Sequence, residues 1–396
     1  MQSKSWLLPD GIDELLPAQA AQLEQLRRDV LDLYASWGYH LVMPSVVEHL
    51  DSLLTGSGAD LQDQTFRFID QLSGKQLGIR ADITPQVARI DAHQLQQQGT
   101  TRLCYVGEVL RTRPDGFSAS RSPIQVGAEV YGHAGPESDV EVLCLMMETL
   151  RLAGLSEVYL DLGHVGVYRA LAETAELDKD QETSLFEALQ RKAKTEINAL
   201  DDEFGVKGET RCHLEALADL NGDASVLSVA REQLKGASQA VSDAIEYLEQ
   251  VSQRLAVCMP DTSVHIDLAE LRAYNYQTGV VFAAFVPGQG NEIARGGRYD
   301  HVGEKFGRAR PATGFSTDLK ALMTLGSREA ASSKGAVIAP AEMDDELLAA
   351  IAQLRAAGRV VIRALPGETF VAGEAQVTEQ LEKTDAGWQL APVKSK

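Results

Sequence analysis

The sequence has few cysteines, no long apolar segment and no run of five or more basic residues, and each absence argues against a class of protein. Cys104, Cys144, Cys212 and Cys258 form no CxxC pair, so we expect neither a zinc site nor a redox motif, but reduced cysteines that mostly serve packing. No apolar run approaches the roughly 20 residues of a membrane-spanning helix. No signal pattern precedes Trp6. These features predict a cytoplasmic protein with no membrane partner.

Acidic side chains outnumber basic ones. The 396 residues include 57 Asp and Glu against 37 Lys and Arg, which gives a formal net charge of −20. A protein that binds a nucleic-acid backbone normally presents a basic stripe that displaces counterions. The composition therefore argues against a tRNA partner, and the acidity is explained by solubility. A chain of this length predicts two or three domains.

The order of predicted elements indicates an α+β fold. We predict a helix at 18–37, a strand at 39–43, a helix from an N-cap at Thr84 to Gly99, strands at 102–109 and 124–132, and a helix at 137–153. The two strands should form an antiparallel pair. Because strands and helices do not alternate, a Rossmann-type parallel sheet is disfavoured.

The second half of the chain begins with a helical insertion. Strand patterns are absent from about 168 to 256, where Leu, Ala, Glu and Lys recur at helical spacing. Beyond it we predict strands at 263–268, 279–286 and 292–295, a helix ending near Leu325, and a strand–helix–strand segment at 336–339, 344–357 and 360–362. The sequence therefore predicts a body of residues 1–325 and a small α/β segment of residues 326–396.

Seven segments, in order, resemble the histidyl-tRNA synthetase family of class II synthetases. They are Trp37 to Glu48, which resembles the dimer motif; Leu77 to Pro85 ("LRPEGT"); Tyr105 to Glu108 ("FRxE"); Gln125 to Glu129 ("QFGVE"); Arg272 to Gly279 ("RGLDYYTG"); Gly296 to Asp300 ("GGRYD"); and Gly314 to Leu322 ("GFAIGLERL"). The resemblance implies a class II synthetase-like antiparallel sheet with flanking helices over residues 1–325. It also implies a pocket for histidine.

Such a pocket needs acceptors for the ammonium, a cation for the carboxylate and a carboxylate or amide for the imidazole. By resemblance, Asp82, Thr84 and Gln125 face the ammonium, Glu129 binds the imidazole, Arg272 lies on the carboxylate side, Tyr276 lines the wall, and Gln277 can hydrogen-bond a ring nitrogen. Asp82, Asn275 and Gln277 replace the family's Glu, Asp and second Tyr. These replacements leave affinity and ligand identity open.

Each candidate also has a structural interpretation. Thr84 alone is explained better as a helix cap, whereas Glu129 alone could be a solvated strand residue and Arg272 an ordinary ion-pair partner. Gly296–Gly297 could be a bulge or turn.

The loop arginines have two interpretations as well. Arg111, Arg113 and Arg121 could mark an anion site, but a solvated loop is favoured.

The family's two ATP-binding arginines are absent, because Val106 and Ala321 occupy their positions. Amino-acid activation develops charge on phosphate oxygens, and loss of one such donor typically reduces the rate about 100- to 1,000-fold. Unless Lys320 or a loop arginine substitutes, adenylation should be negligible. We expect no catalytic residue, no cofactor and no metal site.

Residues 326–396 are too few for the anticodon-binding domain of that family. A synthetase-like body with a short tail resembles instead the regulatory subunits of ATP phosphoribosyltransferase. That resemblance implies a hetero-oligomer with a short catalytic chain, a glycosyltransferase that joins ATP to phosphoribosyl pyrophosphate. It also implies a dimer through residues 37–48 and feedback regulation by L-histidine. Two alternatives stay open: an active histidyl-tRNA synthetase-like ligase, and a stand-alone amino-acid-binding protein.

Overall fold

The computed structural model describes residues 7–55, 59–114, 120–270, 276–328, 335–368 and 377–393. The chain divides into two compact units, residues 1–328 and 329–396. Helices are α1 (Pro17–Ser36), α2 (Leu50–Leu54), α3 (Ala59–Gln64), α4 (Thr84–Arg89), α5 (Pro136–Leu152), α6 (Val165–Thr174), α7 (Lys179–Gln190), α8 (Lys194–Phe204), α9 (Gly208–Leu217), α10 (Val226–Gln233), α11 (Gln239–Cys258), α12 (Leu319–Leu325) and α13 (Asp345–Ala356). Strands are β1 (His40–Leu41), β2 (Val47–His49), β3 (Phe66–Ile69), β4 (Gln76–Ile79), β5 (Thr101–Glu108), β6 (Ile124–Tyr131), β7 (Tyr159–His164), β8 (Asn221–Gly222), β9 (Ser263–Asp267), β10 (Val280–Phe285), β11 (Ala294–Arg298), β12 (Ala312–Asp318), β13 (Ala336–Ala339), β14 (Val361–Arg363), β15 (Val377–Thr384) and β16 (Gly387–Pro392).

A nine-stranded sheet forms the centre of the larger unit, in the order β1-β5-β6-β12-β11-β10-β7-β9-β8. Neighbouring strands are antiparallel except for the parallel pairs β1·β5 and β7·β9. The predicted antiparallel pair is confirmed as β5 and β6, which are in register from Thr101 opposite Tyr131 to Glu108 opposite Ile124. The α+β architecture predicted from the element order is therefore confirmed.

Helix α1 packs on the apolar interior of this sheet. Its buried side chains are Leu23, Leu26, Val30 and Tyr34, which recur at helical spacing. Pro17 at its first turn lacks the N–H that would have no helical acceptor there. Burying each of the three aliphatic side chains stabilises the fold by about 1.5–3 kcal/mol. This core covers one face of the sheet and includes Val126, Ala128 and Val130 of β6.

The helix predicted from an N-cap at Thr84 to Gly99 is wrong at both ends. Thr84 is the first helical residue of α4, and its backbone N–H donates to Oδ1 of Asp82 at 3.0 Å, so Asp82 satisfies the helix start. After α4 the chain continues as a π-helical segment, Ile90–Leu95, and leaves the helix at Gln96, whose φ is 47°. The left-handed residue that ends the helix therefore comes three positions before Gly99.

The strand predicted at 292–295 is displaced. Strand β11 contains Gly296 and Gly297 and pairs with β10 on one side and β12 on the other, so the Gly-Gly pair is not a turn. The predicted strand at 39–43 contracts to β1.

Several strands were missed. The three-stranded sheet β2-β4-β3 and the strand β7 were not predicted, nor was the hairpin of β15 and β16. Strand β15 is rich in Glu, Gln and Lys, so its pairing depends on tertiary contacts that propensity does not describe.

Residues 165–258 contain α6 to α11, and within them the only described strand is the two-residue β8. In the smaller unit, α13 packs on the sheet β14-β13-β15-β16 through a core that includes Val337, Leu347 and Leu381. None of the helices in the described ranges combines the length and apolarity needed to cross a bilayer.

Candidate functional site

Glu129 on β6 lies in a row of paired residues that crosses three strands. It is opposite Gly314 on β12, and Gly314 is opposite Gly297 on β11. Directly opposed residues in an antiparallel pair place their side chains on the same face. A Cβ at Gly314 would overlap the carboxylate of Glu129, and a Cβ at Gly297 would lie 2.7 Å from Oε1 of Gln277. The two glycines therefore allow both polar side chains to lie against the sheet.

Glu129 is only 1% exposed. It accepts hydrogen bonds from the hydroxyl of Tyr105 at 3.1 Å and from the hydroxyl of Tyr299. Burial raises the pKa of Glu129 to about 8, although both tyrosine hydrogen bonds act to lower it. At neutral pH this carboxyl group is therefore mainly protonated. The interpretation of Glu129 as a solvated strand residue is wrong.

Tyrosine rings enclose the same carboxyl group. Tyr276 stacks on Tyr299, with ring centroids 5.1 Å apart and planes inclined by 29°. Tyr131 meets Tyr299 edge to face, at 6.4 Å between centroids. The hydroxyl of Tyr276 and Oε1 of Gln277 are buried, and neither has a hydrogen-bond partner within the described ranges. Buried polar groups of this kind are normally satisfied, so these two atoms are candidates for contact with a polar ligand.

A chain of hydrogen bonds joins Glu129 to Asp82. The hydroxyls of Tyr105 and Thr84 are 2.9 Å apart. The Thr84 side chain therefore bonds to the tyrosine instead of capping a helix. Nε2 of Gln125 donates to Oδ1 of Asp82 at 2.8 Å. Asp82 and Gln125 also line an open cleft of about 460 Å³, so this end of the chain faces the entrance and Glu129 is the buried end.

The cleft has no excess of positive charge. Its acidic lining residues are Asp13, Asp82, Glu292 and Asp318, and its basic lining residues are Arg111, Arg295 and Lys320. Nζ of Lys320 lies 3.2 Å from Asp13, and Arg295 lies 3.3 Å from Glu292. Within the described part of the chain, these acids offset the cations that could bind a polyphosphate.

Of the two positions at which the resemblance led us to expect ATP-binding arginines, one lines the same cleft. Ala321 on α12 lines it, and Val106 on β5 packs against the hydrophobic core. Neither side chain can donate a hydrogen bond. Arg121 donates to the backbone oxygens of Arg111 and Asp10, and Arg111 donates to the backbone oxygen of Ala81, so these two loop arginines are engaged within the fold.

Four predicted residues, Asp82, Thr84, Gln125 and Glu129, are thus joined by hydrogen bonds. Tyr276 is connected to them through its stacking on Tyr299, and Gln277 lies on the Glu129 face of the sheet. Arg272 and Asn275 fall outside the described residues. The role of each in histidine binding stays a prediction.

Three contacting tyrosines were missed: Tyr105, Tyr131 and Tyr299. Tyr105 and Tyr299 lie within two of the motif-like segments, at residues 105–108 and 296–300, which was the signal available in the sequence. The described residues contain no cluster of three or more His, Cys, Asp or Glu side chains that could bind a metal ion.

Comparison with known proteins gives two family matches. Residues 11–322 match the histidyl-tRNA synthetase family, and residues 334–391 match the ATP phosphoribosyltransferase subunit HisZ C-terminal domain. The solved structure of an ATP phosphoribosyltransferase regulatory subunit/histidyl-tRNA synthetase from Bacillus halodurans is 25% identical with a TM-score of 0.81, over 93% of this chain and 96% of that one. Histidyl-tRNA synthetase from Nostoc, at 20% identity, has a TM-score of 0.76 over 96% and 92% of the two chains. The class II synthetase-like fold is therefore confirmed.

Curated relatives cover nearly the whole chain. The ATP phosphoribosyltransferase regulatory subunit of Thioalkalivibrio sulfidiphilus is 54% identical over 92% of this chain and 93% of its own length. The protein of the same name from Methylococcus capsulatus is 53% identical over 99% and 97%. By these matches, the chain belongs to the family of ATP phosphoribosyltransferase regulatory subunits.

Proposed function

We propose that the pocket around Glu129 binds free L-histidine and that this binding regulates an ATP phosphoribosyltransferase complex. The chain has a regulatory role in histidine biosynthesis, as its family membership establishes. The observation that supports a ligand in this pocket is the buried Glu129 carboxyl group, bonded to two tyrosines at the end of a polar chain that begins in an open cleft.

The polar chain matches the polarity of histidine. In our proposal the ammonium group faces Asp82 and Gln125 at the cleft, and the imidazole reaches Glu129. A protonated Glu129 and a neutral imidazole can form a carboxylate–imidazolium pair by moving one proton between them, so no net proton uptake is needed near neutral pH. Gln277 and Tyr276 supply further polar contacts to the ring, and Arg272 would neutralise the ligand carboxylate.

We further propose that the chain does not activate amino acids and does not bind tRNA. Adenylation requires donors at the phosphate oxygens, and Val106 and Ala321 provide none. The cations of the cleft are balanced by Asp13 and other acids. The net charge of −20 is likewise unfavourable for a polyanionic partner. The reaction of the complex then belongs entirely to its catalytic subunit.

The proposed assembly places this chain as a dimer within a cytoplasmic hetero-oligomer with short catalytic chains. Four large apolar side chains within the motif-one segment are exposed, namely Leu41, Met43, Val46 and Val47, and a self-association surface through residues 37–48 would cover them. Regulation would follow from linkage: if histidine binds one state of the complex more tightly, it biases the catalytic subunit toward that state.

Calorimetric titration with L-histidine tests the proposal, with the catalytic chain absent and then present. We expect saturable binding that Glu129→Gln abolishes or weakens at least about tenfold, which corresponds to about 1.4 kcal/mol. Glu232→Gln, on the exposed face of α10, makes the same chemical change elsewhere and should bind as the wild type does. Absence of heat in both conditions would refute histidine binding. ATP–pyrophosphate exchange above the blank would refute the non-adenylating role and favour the ligase alternative.

A further inference from the structure

Strand pairing places the start of the helical insertion beside the segment that leads into β10. Strands β7 and β10 are antiparallel, and His164 at the end of β7 is opposite Val280 at the start of β10. The chain that leaves β7 into α6 therefore runs beside residues 277–279. The backbone N–H of Val165 donates to the backbone oxygen of Gly279 at 3.0 Å, which joins the two segments at one point.

Arg169 on α6 makes a second contact with the same segment. It lies four residues after Val165, about one turn further along the helix and on the same face. Its Nη2 donates to the backbone oxygen of Gln277 at 3.0 Å. A side chain of the insertion therefore binds the main chain of a residue that we place in the histidine pocket.

Strand β11 holds the other side of this segment. The backbone N–H of Thr278 donates to the backbone oxygen of Arg298 at 2.7 Å, and the Thr278 hydroxyl accepts from the backbone N–H of Asp300 at 2.9 Å. The main chain of residues 277–279 is thus bonded to α6 on one side and to β11 on the other. These bonds determine where the side chain of Gln277 begins.

The side chain of Gln277 presents an acceptor that the fold itself does not use. The residue is 8% exposed, and its Oε1 has no hydrogen-bond partner among the residues that the structure describes. The same oxygen lies against Gly297, in the row of paired residues that contains Glu129. An imidazolium ring has two N–H donors. If Glu129 accepts from one of them, Oε1 of Gln277 is placed to accept from the other.

We propose that Arg169 is a positioning residue for the histidine pocket and that it acts on the bound ligand through Gln277. This inference rests on the proposed function, because it requires histidine in that pocket. Binding is weaker when a side chain must first be ordered by the ligand. By fixing the main chain of Gln277, Arg169 orders its amide before the ligand arrives.

A double-mutant cycle tests this role. Calorimetric titration with L-histidine is carried out on the full chain as wild type, Arg169→Met, Gln277→Ala and the double variant. Methionine keeps an unbranched side chain and removes the donors. We expect each single substitution to weaken binding about threefold to tenfold, the range of one hydrogen bond. The double variant should bind within about twofold of Gln277→Ala alone, because Arg169 then has no side chain to position.

Two further variants complete the experiment. Arg169→Lys keeps the charge and a donor, so it should show a smaller loss than Arg169→Met, and again only when Gln277 is present. Arg231 lies on α10 of the same insertion and pairs with Glu249. The matched control Arg231→Met should bind histidine as the wild type does. Urea unfolding of each variant shows that it is folded.

Three results would overturn the proposal. The first is unchanged affinity in Arg169→Met or in Gln277→Ala. The second is an equal loss from Arg169→Met with and without Gln277, since a general effect on the fold or on the local charge does not depend on that side chain. The third is a wild type that does not bind histidine at all, and this result alone would also refute the proposed function.

Discussion

Replacing Glu129 by glutamine should change how the stability of the protein depends on pH. Glutamine keeps the shape of the side chain but cannot ionise. In the wild type, burial raises the Glu129 pKa from its ordinary value of 4.5 to about 8. Between these values the folded state binds more protons than the unfolded state, so the free energy of unfolding falls as pH rises. The stabilising contribution is complete below about pH 4.5 and is lost as pH passes 8.

The size of the effect follows from the pKa. Between the pKa of Glu129 in the unfolded state and its pKa in the folded state, each pH unit changes the free energy of unfolding by about 1.4 kcal/mol. Between pH 6 and pH 9 the wild type therefore loses on the order of 2–3 kcal/mol through Glu129. The Gln variant has no such loss, so its stability relative to the wild type should rise by that amount over this interval.

Urea unfolding of both proteins without ligand, at pH 6 and at pH 9, measures this double difference, in which the titration of all other groups cancels. For the exposed variant Glu232→Gln, the difference in unfolding free energy from the wild type should be the same at both pH values. If the Glu129→Gln difference is the same at both, Glu129 does not titrate in the folded protein above pH 6, and the account of its burial is refuted.

Two further predictions concern the pocket. Gly314→Ala should abolish histidine binding in calorimetry, because its Cβ would overlap the Glu129 carboxylate. The control Gly290→Ala, in the cleft where a Cβ meets nothing within 4 Å, should bind histidine normally. Equal affinities of the two variants would place the ligand elsewhere. Tyr299→Phe removes a hydrogen bond that lowers the Glu129 pKa, so the midpoint of the pH dependence of the unfolding free energy should move above 8. An unchanged or lower midpoint would contradict that role for Tyr299.

The elements that the sequence predicted well are those with strong local patterns. Helix α1 has four apolar residues at helical spacing, and β5 and β6 have strand-like runs on both sides of a polar loop. The ordered motif-like segments also located Asp82, Thr84, Gln125 and Glu129. Short exposed strands such as β2 and β3 have no comparable pattern, because their pairing is a tertiary property.

The interior of the site could not be derived from the sequence, because it depends on register across strands. Gly314 and Gly297 are distant from Glu129 in the chain, and only the pairing of β6, β12 and β11 shows that they form one row. The motif strings contain these glycines but do not indicate what lies over them.

The open cleft and the buried pocket differ in how strongly the fold depends on the residues that form them. An arginine at a cleft can be replaced by alanine with little effect on folding, because substitutions at solvated positions usually change stability by less than about 0.5 kcal/mol. Glu129 is different, since a buried carboxyl group opposes folding above its pKa and requires glycine beneath it and tyrosines around it. Selection for stability alone would favour an apolar side chain at this position. Its presence with Tyr105, Tyr299 and Gly314 is therefore best explained by a ligand that uses it, and this physical argument favours a histidine sensor over an inert scaffold.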